Sequence, residues 1–456
     1  MLLWFVIIYW IISVAIGLWA ALRVKNTGDY AVAGRALPIY VVTATVFATW
    51  FGSETVLGIP ATFLREGLGG VLADPFGSSL CLVLVGLFFA RPLYRMNLLT
   101  IGDYYRNKFG RAVETMVTVC IVISYLGWVA AQISALGLVF NVVSEGAMSQ
   151  NVGMIVGAST VLVYTIWGGM WAVAITDFLQ MIIIVIGMLY IGWDISHLTG
   201  GVGKVVEHAI DAGKFATFMP QFTLAGVLGF VAAWVTMMLG SIPQQDVFQR
   251  VASSKDEKTA GRASILGGCM YFCFAFIPMF LAYSATLIDP EMTARLLADP
   301  DSKAAQHILP NLILNPRVPL FAQIMFFGAL LSAIKSCASA TLLAPSVTFT
   351  ENILRPAFKH MGDKQLLRLM RVVVFCFTCL VTLFAIYSQL PIYKMVENAY
   401  KVTLVAAFVP LAFGLYWKHA NTLGALASIF FGLAVWIGLE ILAPDAACPP
   451  QLLGRP

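Results

Sequence analysis

The chain has 456 residues, 60% of them hydrophobic and only 11% charged, with a formal net charge of +5; a soluble domain carries about a quarter charged residues. So much apolar surface excludes a soluble fold, and the modest positive charge, a sum of loop charges, calls for no nucleic-acid partner. Walker loops, HExxH and GxSxG are absent from the sequence, which excludes ATP hydrolysis and gives no support to an enzyme.

Apolar stretches long enough to cross about 30 Å of hydrocarbon fall at 2–22, 38–60, 72–90, 114–141, 150–167, 171–196, 222–243, 264–288, 318–350, 370–390, 396–417 and 422–443. None alternates with period two, so a β-barrel is excluded. The pattern predicts an all-α, polytopic bundle with about 12 spans, one transmembrane domain over 1–456. The first stretch has no basic residue before it and Arg23, Lys25 and Arg35 after it. It reads as a retained helix, not a signal peptide. Most other Lys and Arg fall in alternate loops, among them 91–111, 244–263 and 355–371. The positive-inside rule makes that end cytoplasmic and puts the N-terminus outside a multi-pass cell-membrane protein.

Two stretches carry breakers. The second holds Gly52, Ser53, Glu54, Thr55, Gly58 and Pro60, after Trp50; the seventh ends in Gly240-Ser241-Ile242-Pro243, before Gln244 and Gln245. Interrupted segments at matching places in two halves point to a transporter site, while Gly and Pro also serve plain helix packing. The residues alone leave both readings open.

Three ionisable side chains sit clearly within spans: Glu54, Asp177 and Lys335. Such groups cost at least a few kcal/mol each and are functional candidates by default. Asp177 follows the Trp167-Gly168-Gly169 turn, with Gln180 at i+3, and reads either as a cation's waypoint or as a structural hydrogen-bonding group. Ser332, Lys335, Ser336 and Ser339 recur at helical spacing as one polar stripe. The eight cysteines lie mostly in spans as small apolar groups.

Gly34–Leu37, Ala48–Pro60, Leu99–Tyr105, Tyr164–Gln180 and Gly328–Asn352 together resemble the sodium:solute symporter family, which includes bacterial proline, pantothenate and sugar cotransporters. The resemblance implies a five-plus-five inverted repeat behind one extra N-terminal helix, with repeats at about 38–196 and 222–417. It implies symport of a small polar organic solute, an organic acid, amino acid or similar metabolite, with sodium and without any other cofactor. Sodium would be held by the carbonyls of Ala48, Phe51 and Ala333 and the side chains at positions 336 and 337, with Asp177 on its route. Trp50, Glu54 and Thr55 would face the solute, and Gln244 and Gln245 are weaker candidates.

Two departures bear on this. Cys337 is a soft ligand where the family places Ser or Thr, and Lys335 is a cation beside the ion site that could turn away, pair with Glu54 or Asp177, or replace the ion. Sodium coupling is the expectation, with a proton-coupled or uncoupled carrier and a transporter-like sensor as alternatives.

Overall fold

The computed structural model describes residues 2–358 and 361–442; Lys359, His360 and Cys448 lie outside them. Among the described residues nine helices are long and apolar enough to cross a membrane, or ten when one pair bent by 46° is taken together.

The first, α1 (Leu2–Ala21), buries only the stripe Val6, Trp10, Ser13, Gly17 and Ala20, the spacing of a helix with one face on protein and the rest on lipid. Then α2 (Ile39–Trp50) stops mid-membrane. Phe51 leaves helical geometry at ψ 70°, and the Gly52 amide, which a continuous helix would aim at Ala48 O, bonds to Trp50 O at 3.0 Å. After a widened turn at Glu54–Gly58, α3 (Ile59–Glu66) resumes with Pro60 in its first turn, where its missing N–H costs nothing. There follow α4 (Leu68–Arg95), the capped α5 (Ile101–Phe109) and α6 (Arg111–Val143).

Residues 150–199 are helical throughout except at Gly169, with φ 47° and ψ −140°. A straight helix of that length would reach about 75 Å. Instead the chain folds back: Tyr164 donates to Lys335 O at 3.2 Å while Asp177 accepts from Ser336 at 2.7 Å, so residues thirteen apart reach adjacent positions of one neighbour. A Cβ at Gly169 would also lie 2.4 Å from Tyr30 O, which restricts this turn to glycine. The hairpin arms are α7 (150–168) and α8 (170–199), two of the expected spans.

The second half opens with α9 (Leu224–Gly240) and α10 (Gln245–Ser253), the pair bent by 46°. Sequence reading takes 244–263 as a cytoplasmic loop, yet every residue of α10 is buried. Its polar residues look like loop by composition and are instead spent on hydrogen bonds inside the bundle. Next come α11 (Glu257–Ile288), α12 (Leu320–Ala357), α13 (Asp363–Tyr387), α14 (Ile392–Tyr416) and α15 (Thr422–Leu442). All residues from Ala329 to Thr348 of α12 are buried, making it the central pillar, whereas α15 buries only Ala425 and Ile429.

The end of the bundle where most basic loops gather is tied together. Leu37 N bonds to Ser253 O and Lys255 N to Leu37 O, each at 3.0 Å, and Gln249 reaches Ala31 O. Asn352 of α12 joins Thr100, Asp103 and Glu114, with Arg106 and Arg111 on the same carboxylates.

Candidate functional site

The break in α2 brings Trp50, Glu54 and Thr55 into one buried aromatic and polar cluster. Glu54 accepts from Trp128 Nε1 at 3.2 Å and Gln132 Nε2 at 2.7 Å, while Gln132 Oε1 takes the Ser53 amide, so α6 clamps the unwound segment. Trp50, Trp128 and Tyr400 surround one another, with ring centroids 5.3 to 6.1 Å apart. Tyr271 closes a further side against Trp50 and Phe51. Thr55 bonds to the Tyr271 hydroxyl at 2.9 Å, which also donates to Asp74 at 2.5 Å. The Tyr400 hydroxyl and one oxygen of Asp246 are buried without a partner. Buried polar groups are nearly always paired, so these two are available to a ligand.

Gln244 is one step removed, bonded to Ser124 and Thr403. Gln245 is elsewhere: its carbonyl oxygen takes the Ile101 amide at the start of α5, a tie at the basic end. The structure therefore brings together Trp50, Glu54 and Thr55 and separates Gln245 from them.

The second constellation centres on Asp177, fully buried between α2, α8 and α12. Thr45 donates to one carboxylate oxygen and Ser336 to the other, at 2.7 Å for Ser336. Arg250 of α10, 1% exposed, donates to Thr49 at 2.7 Å and stands 4.0 Å from Asp177. Ser336 and Cys337 follow Ala333 on α12. Cys337 Sγ lies against Gly52, where a Cβ would come within 2.9 Å of it; glycine thus lets α12 approach the break that follows Ala48 and Trp50. The two elements that sequence reading named, the break in α2 and the middle of α12, thus pack against each other at Gly52 and Cys337.

Lys335 turns the other way. Its ammonium donates to Ser13 of α1 at 2.7 Å and sits 4.9 to 5.7 Å from the ring centres of Trp10, Tyr9 and Tyr164. Ser332 goes with it, 2.5 Å from the Tyr9 hydroxyl. The stripe read as one face is split, Ser332 and Lys335 toward α1 and Ser336 toward Asp177. Of the three fates open to Lys335, turning away is the one the structure adopts.

Sequence reading missed Arg250, counted as a loop cation, and Asp74, a buried carboxyl at the head of the third span. Their sequence neighbours gave no periodicity to mark them. Trp128, Tyr271 and Tyr400 were hidden as ordinary apolar content, and only three-dimensional convergence sets them apart.

Clustered rings with fixed polar groups, beside a helix broken in mid-bundle and buried oxygen groups on a second helix, are the arrangement of a secondary transporter, and the all-helical fold is that of the five-plus-five inverted-repeat class. The Sodium:solute symporter family profile matches residues 30–432, and the chain belongs to that family. It is 29% identical to the human (Homo sapiens) high affinity choline transporter 1, over 94% of this chain and 75% of that protein. It is 26% identical to the high-affinity proline transporter PutP of Bacillus subtilis, over 92% and 88%. A solved sodium-coupled sialic acid symporter, in a substrate-bound outward-open state, superposes with TM-score 0.79 at 19% identity, over 99% of this chain and 96% of that one. The protein is a multi-pass membrane transporter of a small solute, not an enzyme.

Proposed function

We propose that the protein is a sodium-coupled symporter for a small organic cation of the quaternary-ammonium class. The observation that carries this is the aromatic cluster itself: Trp50, Trp128 and Tyr400 pack on one another beside Glu54, with Asp74 one hydrogen bond beyond Tyr271. Aromatic faces with nearby carboxyl groups attract a cation that cannot itself donate hydrogen bonds, by about 2 kcal/mol per ring when desolvated. An organic acid would meet repulsion from the same carboxyl groups, which favours a cation over the acids among the solutes expected from sequence. The similarity to choline transporters supports the same choice.

Sodium would lie between the broken α2 and α12, held by Ala48, Phe51 and Ala333 carbonyls and the Ser336 hydroxyl, with Cys337 as a second-rate neighbour and Asp177 as the next stop. Hard cations take oxygen ligands, and all but Cys337 supply one. Every ring of the cluster is buried, so the solute must enter among them through a change in packing, as alternating access requires. The single domain would comprise twelve spans, counting the α7–α8 hairpin as two and each broken pair as one, with repeats near 38–196 and 222–417. The excess of Lys and Arg at the tied end supports a cytoplasmic placement of that end and an outside N-terminus.

The test is uptake into proteoliposomes of labelled choline, proline, a sugar and a carboxylic acid, with and without a sodium gradient. Accumulation of choline that collapses without sodium is expected. Proline or the acid as the preferred solute would overturn the cation reading, and unchanged uptake without sodium would overturn the coupling.

A further inference from the structure

At the basic end, a groove of about 600 Å³ opens on the outer surface between the end of α7 and the start of α13. Sequence reading began the tenth span at 370 and left the preceding basic residues in a loop; the helix begins at Asp363 instead. Lys364, Arg368 and Arg371 therefore stand one above another at i, i+4 and i+7, over about 10 Å of helix. Below them, Val372 and Phe375 continue the same wall and are half exposed. Trp167 forms the opposite wall.

Arg371 lies flat over Trp167, 4.9 Å from its ring centre, and donates to Trp167 O at 3.4 Å, while its Nε is buried with no partner. Among the described residues none of the three cations has a carboxylate within ion-pair distance. The nearest acid in sequence, Asp363, is engaged by the Thr27 amide and hydroxyl.

We propose that this groove binds one anionic phospholipid from the surrounding leaflet, its phosphate between Lys364, Arg368 and Arg371 and an acyl chain along Trp167, Val372 and Phe375. The order of chemistry along the wall matches a lipid: charge at headgroup depth, an aromatic ring at the interface, bare hydrocarbon beneath. A free anion would use only the upper part and leave the apolar floor wet. Basic pockets between membrane helices capture such headgroups through the same forces, and the Arg fork suits a phosphate. Because the groove joins α7 to α13, a bound lipid would bridge two helices that pack on the central pillar.

Native mass spectrometry of the purified full chain, titrated with phosphatidylglycerol and phosphatidylethanolamine, tests this. Wild type should bind one phosphatidylglycerol in preference to phosphatidylethanolamine. Lys364→Gln with Arg368→Gln should weaken that binding roughly thirtyfold, from the usual worth of two basic residues at a lipid surface. Lys255→Gln with Lys258→Gln, which removes two exposed charges where α10 passes into α11, should change it less than about twofold. Trp167→Ala keeps every charge and should still weaken binding; if it unfolds, Arg368→Gln alone, on an exposed side chain, should lose roughly fivefold. Equal loss in the two double variants would reduce the effect to diffuse surface charge and overturn the site. So would displacement of the lipid by inorganic phosphate at millimolar concentration, or no preference over phosphatidylethanolamine.

Discussion

Lys335 and Ser336 are neighbours on α12, separated by about 100° of helix turn, and they live in opposite chemistries. Ser336 faces a pocket of oxygens around Asp177, with Arg250 as the only described cation within 4 Å. Lys335 faces rings, with one hydroxyl and no carboxylate within 4 Å among the described residues. Both sides are fully buried, and both answer the cost of burying charge, which reaches several kcal/mol per ion. The Ser336 side answers with exchangeable oxygen partners that a cation can enter and leave, the Lys335 side with a fixed cation that needs no visitor. One helix thus carries the proposed site for a mobile ion and a permanent cation back to back, and the side chains on one need not disturb the other.

That separation can be broken most severely at Asp177. Asp177→Asn removes the charge shared by Thr45, Ser336 and Arg250, and should raise the sodium concentration for half-maximal uptake by about a hundredfold, the loss of roughly 3 kcal/mol expected for a charge-assisted pair. An unchanged sodium curve in that variant would assign the carboxylate to structure alone. Ser336→Ala deletes one proposed ligand and should raise the requirement by roughly tenfold. Cys337→Ser offers a hard oxygen for a soft sulfur against Gly52 and should lower it by a few-fold, read from the same sodium titration.

The comparison is sharpest where no effect is expected. Lys335→Met keeps the stem volume and discards the charge, and sodium dependence should move less than about twofold because the ammonium points at α1. A large gain in sodium affinity there would mean that the ammonium repels the ion and that the two faces communicate. Lys335→Met should also change stability by no more than about 2 kcal/mol, since three ring contacts are traded against a desolvation penalty of similar size; thermal unfolding of the purified protein reads this.

Much of the fold was legible because lipid imposes a simple code: a span must be apolar and long enough, and the twelve stretches have helical counterparts. Gly52, Gly169 and Pro243 marked breaks for the reason glycine and proline usually do. The composition of 244–254 misled because a polar segment can be bulk loop or buried helix, and only the hydrogen bonds of Gln249, Arg250 and Ser253 distinguish them. Within the candidate site, Glu54, Asp177 and Ser336 were found because polar groups are rare in such a sequence. The rings at 128, 271 and 400 were not, since an aromatic residue in a span is as often packing as pocket. Nor could spacing tell which way Lys335 turns, because positions 332 and 335 share a face with 336 and 339 until the neighbouring helices choose between them.

The cage around Lys335 also joins two distant parts of the chain. Ser13 and Trp10 leave the ribosome with the first helix, yet the ammonium they enclose is made more than three hundred residues later. Before α12 is made, α1 already has partners: Trp10 packs on Phe140 of α6, ring centres 4.6 Å apart, and Gly17 closely approaches Tyr164 of the α7 arm. A chain made without residues 1–21 would leave Lys335 facing hydrocarbon, at a cost of about 3 kcal/mol, so the leading helix serves as the lid that makes the central pillar admissible in the membrane.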